Sequence, residues 1–388
     1  MRAPLALLAL VSTQVEARAR DLGIPFEGTP GALNAITDVR GVEVGQKTLI
    51  EGASVRTGVT VIFPRGHADL RPVYGGFFDL NGNGEMTGRA YLEDFGIVQG
   101  PIGISDTNAV GQVYAGIQQW STKHNGSATW PVVAETWSGY LNDLEGFHVT
   151  AETAAAALDS AKAGPVEEGN VGGGTGMVCF GFKGGIGTAS RVVSIGGRGY
   201  AVGVLVQCNT GDRTVLRIAG VPVGQAFSKR WLPCVDGKAG AGPLKPCRAD
   251  GAQGEPPPDQ GSIIIVVGTD APLMPLQLNR VAKRAAMGLA RLGSYSGNSS
   301  GDLIVSFSTA PAEVNHEDQE KPSPMAPISN ASIDPIFKAA TEATEEAIVN
   351  ALVAAQTMIG VNGARFFAIP HDELRTILKR YNRLEERK

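Results

Sequence analysis

The chain has 388 residues, 43% hydrophobic and 19% charged, with 51 glycines; that length carries one large domain or two ordinary ones with a full core. A net charge of −4 and a pI near 5.8 leave no basic surface for nucleic acid. No apolar run reaches the roughly 18 residues of a membrane span, so a soluble protein is expected.

The N-terminal "MRAPLALLALVSTQVEARA" places Arg2 before an apolar run from Ala3 to Val11 and closes on Ala-Arg-Ala. This resembles a secretory signal with a small-x-small cleavage site over residues 1–19. The competing reading is a poorly ordered leader or a first helix, and the two readings give a periplasmic or a cytoplasmic protein. "ITDVRGVEVGQKTLI" and "TGVTVIF" read as short strands joined by glycine turns. "DLNGNG", residues 79–84, imitates the start of a calcium loop, but the twelfth position, which needs glutamate, is Ala90. It reads as a Gly/Asn turn.

"ATWPVVAETWSGYLNDL" combines a strand with a polar turn, and residues 151–163 form an Ala-rich helix. The glycines of "GNVGGGTGMVCFGFKGGIG" carry neither Walker nor dinucleotide spacing, so they fit tight turns near a site. Three strand-like runs follow: "VCFGF", "ASRVVSIGG" and "YAVGVLVQCN". Cys179 and Cys208 lie in apolar runs and read as buried thiols. From Lys229 to Gly261 the chain is polar and reads as an inserted loop. Its Cys234 and Cys247 flank "VDGKAGAGPLKP", where a disulfide is expected in an oxidising compartment. The five histidines are scattered and there is no C-x-x-C, so neither a metal nor a cofactor is expected.

The C-terminal third is plainer. Ile263 to Val267 is a strand buried on both faces. Thr269 or Asp270 is expected to cap a helix with Leu278, Val281, Ala282, Ala285, Leu289 and Leu292 on one face, stopped by Gly293. "DLIVSFST" is another buried strand. Ser332 is expected to cap a last long helix carrying Phe337, Ala340, Ala347, Ile348, Ala351, Leu352 and Ala355. Strands mixed with helices that cover sheet faces give a layered α/β sandwich.

"EPPPDQGSIIIVVGTDAPL" puts a solvated Pro-rich loop directly before a core strand, with Ser262 at the junction. A serine hydroxyl needs a base, and no histidine is near in sequence. If the Gly261–Ser262 bond breaks, Ser262 carries its own α-amine, with a pKa of about 7.7–8.0 in model peptides. Gly261 tolerates the bend such a cut requires. The plain alternative is a strand-start serine. Ser300, in "GSYSGNSSGDLIVSF", is a second candidate.

Several long stretches agree in order: "LNGNGEMTG", "ETWSGYLND", "VGGGTGM", "GFKGGIGTASR", "VLVQCN" and "GSIIIVVGTDAPLMPLQLNRVAKRAAMGLARLGSYSGNSSGD". Together they resemble the family of L-aminopeptidase D-amidase/D-esterases and β-peptidyl aminopeptidases, from about Ile36 to the C-terminal helix. The resemblance implies a four-layer αββα sandwich, similar to N-terminal nucleophile hydrolases but connected differently. It implies one domain cut into an α subunit, residues 20–261, and a β subunit, residues 262–388, with Ser262 as nucleophile. Ser300 matches a serine that contacts the nucleophile. Asp302 stands where relatives can carry glutamate, shorter by one methylene. Asn209 matches an oxyanion-hole amide, Glu135 the carboxylate that takes the substrate's free amine, and Trp137 a neighbouring position that is often Tyr.

The expected enzyme therefore releases small N-terminal residues from short peptides, amides or esters, as a tetramer of processed heterodimers. The rival readings are an acyltransferase of the ornithine acetyltransferase kind, which Ser262 in place of threonine disfavours, and a non-catalytic Gly-rich binding protein.

Overall fold

The computed structural model describes residues 17–236, 244–249, 251, 261–310 and 326–385. From the N-terminus, β1 (Glu43–Glu51) and β2 (Val55–Phe63) form a hairpin, followed by β3 (Val73–Gly82), α1 (Arg89–Phe95), β4 (Ile97–Val98) and β5 (Ile102–Asp106). Next come α2 (Val110–Asn125), β6 (Val132–Thr136), α3 (Ala151–Asp159), and the short pair β7 (Val178–Cys179) and β8 (Phe182–Lys183). The long β9 (Gly185–Ile195) and β10 (Arg198–Asn209) precede α4 (Val223–Ala226) and β11 (Cys234–Val235). The last segment holds β12 (Ser262–Thr269), α5 (Pro275–Arg291), β13 (Gly301–Ser308), α6 (Asp334–Ala354), β14 (Met358–Ile359), β15 (Ala364–Phe366) and α7 (His371–Arg380).

Two sheets dominate: a four-stranded one in the order β1-β2-β5-β6 and a six-stranded one in the order β4-β3-β13-β12-β10-β9. Their inner faces meet in one apolar core, where Ile62, Ile104 and Ala134 of the first pack with Leu205, Ile264 and Val305 of the second. Helices α2 and α3 cover the outer face of the four-stranded sheet through Val113, Ile117, Trp120 and Leu158. Helices α5 and α6 cover the six-stranded one. This is the layered α/β sandwich read from the residues, in the αββα form that the family resemblance implies.

Local chemistry explains the layers. All eight residues of β12 are buried, as an unbroken apolar run demands of a central strand. Its alternate residues serve the two cores: Ile263 and Ile265 pack toward the helices, Ile264 and Val266 toward the other sheet. Helix α5 buries Leu278, Val281, Ala282, Ala285 and Leu289 and exposes Leu276 and Met287, one apolar stripe at helical period. Helix α6 is buried almost all round; its Ala-rich surface lets β9 approach so closely that a side chain at Gly187 would overlap the Ala347 carbonyl.

Four local expectations need correction. Thr269 and Asp270 do not cap α5. Thr269 Oγ1 donates to the Ala201 carbonyl at 2.7 Å and Asp270 Oδ1 accepts the Ala201 N–H at 2.8 Å, tying β12 to β10. The helix starts five residues later, at Pro275, where a missing N–H costs nothing. Ser332 lies in the short turn Asn330–Ser332, and α6 begins at Asp334 with Pro335 in its first turn. Helix α3 ends at Asp159 rather than 163. Cys179 and Cys208 are not free thiols: β7 runs beside the end of β10, bringing their Cα atoms to 5.5 Å in a disulfide.

Cys234 and Cys247 also pair, with Cα atoms 4.8 Å apart, and the described part of the 229–261 segment adds β11 to β15.

Candidate active site

The centre of the six-stranded sheet sets the site. Ser262 opens β12, and the ladders place it directly opposite Asn209 on antiparallel β10 and Gly301 on parallel β13. Paired residues share a face, so the Ser262 side chain points the same way as Ile264, toward the second sheet. The Gly301 N–H donates to Ser262 Oγ at 3.1 Å. A Cβ on Gly301 would sit 3.0 Å from that oxygen and overlap the Asn83 carbonyl, and one on Gly261 would overlap the Asn209 carbonyl. Both flanking positions have room only for glycine.

The facing sheet supplies the rest. β6 runs parallel to β5, and Glu135 with Trp137 lies at its C-terminal end. Asn83, Gly84, Thr107, Glu135, Trp137 and Ser262 line one open cleft of about 540 Å³. Glu135 is buried; its Oε1 accepts the Glu85 N–H at 3.0 Å and its Oε2 accepts the Thr107 hydroxyl. Burial pushes its carboxyl above the ordinary glutamate range, against the pull of those two donors, and the nearby Asp106 and Glu85 carboxylates add to the rise. The Trp137 ring meets Tyr140 edge-on at 4.9 Å, and Tyr140 leans on Phe366 at 5.2 Å, so the indole is braced from behind.

The Asn209 amide is fixed at both ends. Its Oδ1 accepts the Val178 N–H at 2.7 Å and its Nδ2 donates to the Trp137 carbonyl at 2.8 Å. Those partners admit only one orientation of the amide, and among the described residues one of its two N–H donors is left for a further acceptor.

Ser300 and Asp302 sit differently. Asp302 pairs with Ile263 and therefore shares its helix-side face, opposite the Ser262 hydroxyl. There Asp302 Oδ1 accepts the Ser300 hydroxyl at 2.7 Å, and Ser300 Oγ lies 3.1 Å from Thr210 Oγ1. The shorter carboxylate thus reaches Ser300. The chain Asp302–Ser300–Thr210 stands behind the Gly261–Ser262 peptide, since Gly261 packs on Asn209 and Thr210.

The sequence reading missed Thr107, the Asn83–Gly84 rim and Gln207, whose Nε2 donates to the Ser105 carbonyl and to Thr136 Oγ1, both at 2.8 Å. Gln207 locks β10 to β5 and β6 across the core. The rim lay within the quoted "LNGNGEMTG"; Thr107 and Gln207 carry no local signal. His67 binds Glu43, His124 stacks on Trp120, His148 binds Asp143 and His371 meets the Val353 carbonyl. His316 falls outside the described residues. Of the four described histidines, none lines the cleft.

The chain is similar to known proteins along nearly its whole length. The chain is 50% identical to the β-peptidyl aminopeptidase BapA of Sphingosinicella microcystinivorans, over 97% of this chain and 96% of that one. It is 47% identical to BapA of Sphingosinicella xenopeptidilytica, over 96% and 93%. Among solved structures it resembles the L-aminopeptidase D-Ala-esterase/amidase of Ochrobactrum anthropi, described as a prototype serine aminopeptidase with a variant Ntn hydrolase fold. That match has a TM-score of 0.84 and 42% identity, covering 95% of this chain and 99% of the other. A β-aminopeptidase of Burkholderia sp. matches with a TM-score of 0.82 and 40% identity over 96% and 100%. The profile of peptidase family S58 matches residues 34–366. The chain belongs to peptidase family S58, and it is a serine aminopeptidase.

Proposed function

We propose that the enzyme cuts its own Gly261–Ser262 bond and then uses Ser262 to release small N-terminal residues from short peptides, amides and esters. The observation that carries this reading is the placement of Ser262. It opens a central strand beside a fixed amide, in a cleft whose other wall holds a buried carboxylate. In the first step Ser262 Oγ attacks the Gly261 carbonyl, the acyl group moves from nitrogen to oxygen, and water releases Gly261 as a carboxylate. The freed α-amine, with a pKa of about 7.7–8.0 in model peptides, becomes the base that the four described histidines do not supply.

In turnover this amine takes the hydroxyl proton as Oγ attacks the substrate carbonyl. The Asn209 N–H stabilises the developing oxyanion. The proton passes to the leaving amine, and water then hydrolyses the ester. Ser300 and Asp302, behind the cut, orient the new chain end. Glu135 receives the substrate ammonium, so a free amine is required, and Trp137 flanks it. Substrates with an N-terminal β-residue are the first choice, because the 50% and 47% identical relatives are β-peptidyl aminopeptidases; L-α-residues and D-Ala amides follow from the Ochrobactrum relative. A homo-oligomer of processed heterodimers and a periplasmic location complete the reading. The two disulfides support an oxidising compartment.

Ser262→Ala tests the core of this reading. It should give a single uncut chain on a denaturing gel, with aminopeptidase activity reduced by at least about 10³-fold; a processed, active variant refutes it.

A further inference from the structure

Lys183 has no part in the chemistry above, yet it is fully buried and, among the described residues, its Nζ donates only to backbone carbonyls: Gly174 at 3.2 Å, Met177 at 2.8 Å and Gly184 at 2.7 Å. Burying a cation without a carboxylate is costly. Burial accordingly pushes its ammonium well below the usual lysine range, and three carbonyls match the three N–H donors that only the charged form has. Such a group needs a reason to be there.

The carbonyls it gathers define the reason. They bracket the β7–β8 hairpin, in which Val178 pairs with Lys183, and the Val178 N–H is the donor that holds Asn209 Oδ1 at 2.7 Å. The same hairpin turns at Phe180 (φ 47°) and Gly181 (φ 67°), a left-handed pair that is strained for phenylalanine. Buried Arg213 gathers the carbonyls of that turn, from Phe180 at 2.8 Å and from Gly181. The Cys179–Cys208 disulfide joins the residue after Val178 to the residue before Asn209. Each of these ties converges on the orientation of one side-chain amide.

We propose that Lys183 is a positioning residue for the oxyanion amide: its Nζ holds residues 174–184 in the shape that aims the Val178 N–H at Asn209 Oδ1. Without that donor the amide is held at one end only, by the Trp137 carbonyl, and its remaining N–H swings away from the oxyanion. The proposal rests on the role given to Asn209, and a double-mutant cycle separates the two. Peptidase kinetics are measured for Lys183→Met, Lys183→Gln, Asn209→Ala and the double variant Lys183→Met/Asn209→Ala, all on processed protein.

Lys183→Met should lower kcat about 10- to 100-fold, as small misplacements of a reacting group do, with KM within about twofold. Lys183→Gln, which keeps two N–H donors, should recover part of that loss. In the Asn209→Ala background Lys183→Met should cost less than about twofold further, because its effect is already spent. If Asn209→Ala itself leaves kcat unchanged, the oxyanion role is wrong. If Asn209→Ala is costly and the two losses multiply, Lys183 acts elsewhere and this proposal falls. Failure of both Lys183 variants to yield folded protein would likewise overturn it, by making the residue a structural requirement.

Discussion

The two walls of the cleft are built differently. On one wall Ser262 stands at the centre of the six-stranded sheet, in direct register with Asn209 and Gly301 on the neighbouring strands. The Glu135 wall comes from the end of β6, a strand at the edge of the four-stranded sheet, and the turn after it. Residues locked into a central ladder move little, which suits groups that must meet a transition state. An edge strand and its loop vary at lower cost, which suits choosing the substrate. On the proposed roles, rate and selection thus fall to different sheets.

The sharpest way to break that division is at Asn209. Asn209→Ala should lower kcat by roughly 10²–10³-fold, the usual loss for one oxyanion donor, with little change in KM. A rise in KM alone would move Asn209 to the selecting wall. Glu135→Ala should do the reverse. Losing a charge-assisted contact worth roughly 1.5–3 kcal/mol should raise KM about 10- to 100-fold while kcat holds, and the preference for free over N-acetylated substrates should shrink.

The same carboxylate gives a pH signature. Burial raises its pKa, so as pH falls through that raised value Glu135 takes up a proton and loses its attraction for the substrate ammonium. KM should therefore climb on the acid side at a higher pH than an ordinary glutamate would give, and Glu135→Gln should flatten the climb. An acid-side KM identical in the two proteins would rule Glu135 out. Trp137→Ala carries the smallest effect, about two- to fivefold in KM, if the indole contributes a partly exposed cation–π contact; a drop in kcat instead would point to its carbonyl, which holds Asn209.

How much of this was legible in the sequence follows the same split. β12, β13 and α5 announce themselves by unbroken or periodic apolar residues, because a central strand and a sheet-covering helix leave no choice of pattern. Helix α2 did not. Its stripe is diluted by Gly116, which is there because a Cβ would come within 2.7 Å of Ala154 on α3, and by polar Gln and Thr on its outer side. Ser262 was marked by the meeting of a Pro-rich loop and a core strand. Asn209 and Glu135 came only through the family resemblance.

Thr107, Gln207 and Lys183 stayed hidden. Thr107 and Gln207 act on partners 28 to 102 residues away, and Lys183 acts on carbonyls that no local pattern marks. Cys179 and Cys208 looked like unpaired core residues for a similar reason: they are 29 positions apart, and only the packing of β7 beside β10 brings them together.

The most direct measurement is N-terminal sequencing of the purified, active enzyme. Two termini are predicted, one of them reading Ser-Ile-Ile-Ile from Ser262. Fully active protein with an uncut Gly261–Ser262 bond, and so no terminus at Ser262, would contradict an enzyme whose base is the amine of its own nucleophile.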